Sequence, residues 1–444
     1  MGEWPPHYAD ARTLEGKLQR GLGSGYLEAL EAPRAEVHAM LNRNIKGDPR
    51  LDHHLDNRDG YYGDLTLAIG LPLDDLRDFV GRFATDENED SFLAVTVLVH
   101  MVKRGHAEAE RILRDYVLRG PFWNSVLWML GDAGISQGWT ELIPSVVERI
   151  AADPEFYALD WEPYATWARA EPRLTAMARS REMPTKVPTP DLESKSTEAL
   201  FKPSHYSLRA ADVLAARTDD ADRAAVRAAL DSRVPYSRAL AALVLAKQGD
   251  FSVMPVALGL VSRGTRPPSV RLIAERALLL GPAEFGLHLA RKWRSSPSWP
   301  RQIAAFDLLE LHATADDIGW VTKRLRRASA ERDEDRFIVT NLAEIVAARF
   351  PGREFPLLKR RFDAFTYSYG RHFLAEALAV TDPTFAATRA FTSLWDCESE
   401  TRLVAAEHVD LGVPGALERL REMASDPVED ERVVEIATKR LETA

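Results

Sequence analysis

Apolar side chains recur every three to four residues along most of this chain, and short polar clusters rich in Gly, Pro, Asp and Asn interrupt them. That period gathers the apolar positions on one face of a helix, and the interruptions stop each helix before it grows long. Residues 235–264, PYSRALAALVLAKQGDFSVMPVALGLVSRG, carry the pattern most completely: an Arg-led helix, a Gly-Asp turn and a second apolar helix. Arg209, Arg238, Arg271, Arg301, Arg336, Arg371, Arg402 and Arg432 each stand near the start of an apolar helix, at intervals of 29 to 35 residues. Intervals in this range belong to stacked helix pairs. The pattern therefore predicts an all-α fold, a right-handed superhelical solenoid of helix pairs.

The regularity is confined to the second half. Residues 1–181 read as an irregular helical domain of degenerate hairpins, whose helices close at Gly or at Asp-Pro and share no Arg phase. Residues 182–204 contain Pro184, Pro188, Pro190 and Pro203 in polar surroundings and read as a linker, with too little apolar surface to order strongly. Residues 205–444 form the regular array.

Composition changes this picture little. With 444 residues, 45% hydrophobic and 28% charged, the chain can bury a large core, and its length suits an elongated array or two domains. The net charge of −10 is uneven: residues 201–372 hold 28 Lys plus Arg against 19 Asp plus Glu, so the middle is basic and the ends acidic. One cysteine, Cys397, excludes an internal disulfide and a multi-cysteine metal site and fits a reducing cytoplasm. The longest apolar run, residues 92–102, is too short to span a bilayer, and the first residues lack the basic and apolar regions of a signal peptide, so no membrane partner is expected.

Alanine often follows the repeated Arg by three or four positions, as at Ala241, Ala274 and Ala375, which lets helices approach closely. A cation near a helix N-terminus opposes the macrodipole, so a recurrent partner is implied. Carbonyls at loop ends or acids such as Asp231, Asp333, Asp335, Glu400 and Glu431 would make the Arg a structural ladder; phosphate binding along the array is the alternative. On these features, SRALAALVLAKQGDFSVMPVALGLV and TRLVAAEHVDLGVPGALERLREMASDP resemble the HEAT-repeat family, in the short bacterial form related to phycobilin-lyase repeats. The resemblance implies stacked HEAT-like helix pairs over roughly the second half and a role as a scaffold, a regulatory subunit or, in a few members, an enzyme.

Three enzymatic precedents within that resemblance can be set against the residues. The iron hydroxylases use His-Glu pairs, whereas only the reverse order, Glu407-His408, occurs here. Nothing marks a bilin pocket. A weaker resemblance, to HEAT-like DNA glycosylases related to alkylpurine glycosylases, implies a carboxylate beside Trp residues; Asp132 with Trp123 and Trp128, or Asp396 with Trp395 and Arg402, supply that pattern. Both groupings also fit core aromatics and helix caps.

Two further clusters are candidate binding surfaces. DHHLDNRDGYYGDL offers Arg58, Asp59, Tyr61 and Tyr62 as anchors for a partner, with Arg58–Asp59 pairing and an inward tyrosine as the plainer reading. Adjacent His53 and His54 point about 100° apart on a helix and make a poor metal chelate. The second cluster is basic: Arg263 and Arg266, then Arg291, Lys292 and Arg294, then Lys323, Arg324, Arg326 and Arg327, and last Lys359, Arg360 and Arg361. Stacked repeats could merge these into a stripe for phosphates or an acidic partner. The sequence thus points to a non-catalytic scaffold or adaptor binding a protein along a concave face, with DNA binding or a glycosylase as the alternative, and it implies no cofactor and no metal.

Overall fold

A computed structural model of the chain describes residues 8–47, 58–82, 91–153, 156, 158–180, 191–203, 207–217, 219–262, 267–329 and 333–443. Among these residues there are 27 α-helices and no strand, as the period predicts. None of the helices is long and apolar enough to cross a membrane. His53, His54, Arg263 and Arg266 lie outside the described residues.

The chain forms two compact units. One comprises Met1–Thr185, Ala328–Thr340 and Glu354–Ala444; the other comprises Lys186–Arg327 and Asn341–Arg353. This differs from the expected division into 1–181, 182–204 and 205–444, because the last repeats belong with the amino-terminal helices rather than with the middle of the array. Local periodicity carries no information about such long-range packing, which is set by surfaces hundreds of residues apart. The expected linker differs too: within its described part, Leu192 and Leu200 are buried and a short helix, Thr197–Leu200, is capped by Ser196.

In the first unit the early helices are α1 (Leu14–Gln19), α2 (Gly23–Glu31), α3 (Arg34–Lys46), α4 (Asp59–Ile69), α5 (Asp74–Arg82), α6 (Phe92–Lys103), α7 (Ala107–Arg119) and α8 (Trp123–Gly131). FLAVTVLVHMVK is apolar around nearly its whole circumference, so α6 is buried from Leu93 to Val99 and packs on α4, α7 and α8. α4 stops at Gly70, whose φ of +66° places it in the left-handed region, where a Cβ is unfavourable. α2 packs on the helix Arg389–Ser393, and Cys397 joins the same core as Leu18, Tyr61 and Tyr62.

The second unit contains the stretch that defined the repeat. Pro235–Lys247 is a helix with Pro at its first turn, where the missing N–H costs nothing. Gly249 at φ +82° ends it, and Asp250 then accepts from Ser252 N at 3.2 Å and starts a helical turn leading into Met254–Ser262. Pro235–Lys247 also packs on Pro268–Leu279, which packs on Trp299–His312. The Arg-led helix, Gly-Asp turn and second helix are therefore present as read.

Candidate functional site

A polar cleft of about 360 Å³ opens in the first unit, lined by α4 and α6 on one side and by residues 395–430 on the other. Next to the cleft residue Tyr26 runs RGLGSG, residues 20–25, which spans the turn after α1 and the first residues of α2. Gly21 has φ +65°, and a Cβ there would sit 2.4 Å from Cys397 Sγ; a Cβ on Gly23 would sit 1.9 Å from the carbonyl oxygen of Thr392. Only glycines let this turn lie directly on the WDCE segment, residues 395–398. Cys397 N donates to Gly21 O at 3.0 Å and closes the contact.

Beneath the turn lies a buried ionic core. Arg371 is fully buried, donates to both oxygens of Asp396, one of them at 2.7 Å, and reaches the carbonyl oxygen of Arg20. Arg58, also fully buried, donates to Gln19 O at 3.1 Å, Ser368 Oγ at 2.7 Å and Cys397 Sγ at 3.0 Å, and lies 3.9 Å from Glu398. Ser368 Oγ donates to the same Glu398 carboxylate. Arg402 donates to Asp396 O at 2.8 Å and Cys397 O at 3.0 Å while pairing with Glu429. Burial pushes the Cys397 thiol up to about 12, against the opposing pull of Arg58. A thiol held protonated in the interior is a poor nucleophile.

Above this core the cleft is polar and charged. Arg104 bridges Asp64 and Asp426, donating to Asp64 Oδ1 at 3.0 Å and Asp426 Oδ2 at 2.7 Å. His100 Nε2 lies 2.7 Å from Asp64 Oδ1, and its ring lies against α4 because Gly63 has no Cβ, which would fall 2.6 Å from that ring. Burial works against the Asp64 charge, but the hydrogen bonds and charge of His100 and Arg104 outweigh it and hold the carboxyl below its ordinary range. Arg419 lies over the Trp395 ring at 5.1 Å and donates to Leu394 O. Asp59 and Lys103 line the cleft with no ion-pair partner among the described residues.

The cleft brings together residues that the sequence offered separately: Asp59 and Tyr61 from one cluster, Trp395, Asp396 and Arg402 from another. Their roles differ from those expected. Arg58 and Tyr62 are interior, not partner-facing, and Tyr61 lines the cleft although it is buried; the Tyr61 and Tyr62 hydroxyls donate to Leu22 O at 2.9 Å and Leu18 O at 3.0 Å. Arg58 pairs across the fold rather than with Asp59. Asp396 has both oxygens engaged by Arg371, so it cannot offer a free carboxylate to a glycosidic bond. Arg20, Ser368 and the RGLGSG glycines went unrecognised, although a Gly-x-Gly-x-Gly run signals close backbone approach.

Asp132 is exposed at the end of α8, beside Trp128, while Trp123 is buried and stacked on Phe156. The basic residues fall in both units. In the second, Arg291 and Arg294 share buried Asp317, at 2.9 and 2.8 Å, and Lys292 is exposed. On the helix Ile318–Arg327, Val321 and Leu325 face inward; Lys323, Arg324 and Arg327 have no acidic partner among the described residues, and Lys323, Arg326 and Arg353 line a shallow groove without an acid. In the first unit Lys359 is paired with Asp382 at 2.6 Å, Arg360 is exposed and Arg361 is half-buried. No group of His, Cys, Asp and Glu suited to a metal occurs among the described residues. No protein-family model matches the sequence. No curated protein matches it.

Proposed function

We propose that this protein is a non-catalytic binding protein built of HEAT-like helix pairs, and that its polar cleft receives a charged segment of a partner polypeptide. The supporting observation is the state of the charged groups in and under the cleft. Those of catalytic type are committed: Asp396 to Arg371, Arg402 to Glu429, and Cys397 to the interior as a thiol. Asp59 and Lys103, which have no ion-pair partner among the described residues, have opposite charge and face the cleft from neighbouring helices. A rigid, pre-paired surface with a few unpaired charges suits recognition, since little ordering is needed on binding.

A second reading, nucleic-acid binding through the second unit, is favoured by Lys323, Arg324 and Arg327, which have no acidic partner among the described residues. One experiment separates the two. A displayed peptide library is selected on the full chain and on a variant carrying Asp59→Lys and Lys103→Glu, and duplex DNA is titrated in parallel at several salt concentrations. Peptides enriched on the parent chain should bind the variant at least tenfold more weakly. If no peptide depends on the cleft, and duplex binding instead falls steeply with salt and is lost on Lys323→Glu with Arg327→Glu, the nucleic-acid reading replaces it.

A further inference from the structure

Apart from the cleft, the first unit carries an exposed aromatic pair. Trp128 and Trp161 are each 43% exposed, and their rings are in contact with centroids 5.9 Å apart, tilted by 41°. The pair exists because Gly131 ends α8: a Cβ there would lie 2.5 Å from Glu162 O, so only glycine lets the segment around residue 161 lie against the helix end. Gly134, at φ +74°, turns the chain away, with Ile135 N donating to Leu130 O at 2.9 Å. The result is a two-ring shelf at a helix C-terminus.

Within the two segments that build that shelf the charged side chains are all acidic. Asp132 is exposed and follows Trp128 by four residues, on the same face of α8, and Asp160 is exposed next to Trp161. Glu162 is engaged in capping, accepting from Thr166 Oγ1 at 2.9 Å. The segments that build the shelf, residues 123–138 and 158–168, contain no Lys, Arg or His. The helix C-terminus adds the negative end of its dipole. Such a field repels a phosphate backbone and attracts a cation.

The chain's own packing says which cation fits. Five tryptophans are already covered by a guanidinium: Trp139 by Arg114 at 4.9 Å, Trp123 by Arg149 at 5.1 Å, Trp320 by Arg294 at 5.0 Å, Trp395 by Arg419 at 5.1 Å and Trp293 by Arg301 at 6.0 Å. Trp128 has no such cover among the described residues and presents an open face. A planar guanidinium stacks on an open ring while its N–H fork reaches a carboxylate; a quaternary ammonium instead needs an enclosing cage, which two rings in contact do not make. We infer that the Trp128–Trp161 shelf, with Asp132, is a docking point for an arginine side chain of a partner polypeptide. It stands apart from the cleft and does not depend on it.

The test uses the full chain labelled with 5-fluorotryptophan, whose resonances for positions 128 and 161 are assigned from Trp128→Phe and Trp161→Phe. Titration with triarginine peptide should shift those two resonances and leave the buried tryptophans unmoved. Trilysine should bind several-fold more weakly, tetramethylammonium more weakly still, and Asp132→Asn should lower triarginine affinity about five- to tenfold. Trp128→Leu should abolish the response of the remaining ring. The inference is overturned if the two resonances do not move, if Asp132→Asn leaves affinity unchanged, if trilysine or tetramethylammonium matches triarginine, or if a short duplex displaces the peptide from the shelf.

Discussion

Asp396 and Arg371 show how a single pair decides what a site can do. Both are buried to within 2% exposure, and the guanidinium satisfies both carboxylate oxygens and then holds the RGLGSG turn by its carbonyls. Removing one member of a buried pair leaves the other charged and unpaired, which costs about 3–5 kcal/mol. Asp396→Asn is therefore expected to lower the unfolding free energy of the first unit by about 3 kcal/mol, read from urea denaturation, and Asp59→Asn by less than about 0.5 kcal/mol, because Asp59 has no ion-pair partner among the described residues. A loss at Asp396 no larger than at Asp59 would show that the pair is not the anchor of this core. In the sequence, Asp396 looked like chemistry because it stands beside a tryptophan and near an arginine. Its buried partner, Arg371, looked like one of eight equivalent repeats.

At the scale of the element, helix ends were legible and helix partners were not. Proline in the first turn, glycine past the last and Asp at the Gly-Asp turn are local rules, and Pro235–Lys247 with Gly249 and Asp250 follows them. The repeated Arg obeys no single local rule. Arg301 donates to Ser262 O at 2.7 Å, Arg432 pairs with Glu400, Arg402 holds two loop carbonyls, and Arg371 enters the ionic core. Each helix borrows the same side chain for whatever its neighbour leaves exposed, so spacing reveals the Arg and only packing reveals its work. The glycines divide in the same way. Gly23→Ala drives a Cβ into the Thr392 carbonyl and should destabilise by about 2–4 kcal/mol, whereas Gly259→Ala, inside Met254–Ser262 with nothing within 4 Å, should stabilise by about 0.5–1 kcal/mol. Thermal and urea unfolding of the two variants give opposite signs if close approach, rather than helix propensity, is what Gly23 serves.

For the whole molecule, two units with separate cores imply separate responses to pH. Two carboxyls of the second unit are raised by burial into the range where pH matters. Glu275, 7% exposed on Pro268–Leu279, is pushed up to about 7 by burial, with Arg271, 3.3 Å away, pulling the other way and Asp307 reinforcing the rise. Asp307, half-buried on Trp299–His312, is pushed up to about 6 by burial and by Glu310, against Arg276. A carboxyl whose folded value lies above its unfolded value of 4.5 keeps a proton that unfolding releases. Its contribution is thus complete below about pH 4.5, declines as the pH rises, and is gone above about pH 7. The second unit should accordingly lose about 1–3 kcal/mol between pH 5 and pH 8 on account of Glu275 alone. Glu275→Gln carries no such titration, so it should match the parent near pH 5 and exceed it near pH 8. Amide exchange in Pro268–Leu279, corrected for its intrinsic pH dependence, reads this unit without the other. Equal pH slopes for the parent and the variant would mean that Arg271 neutralises Glu275 fully and that the acid is an ordinary buried ion pair.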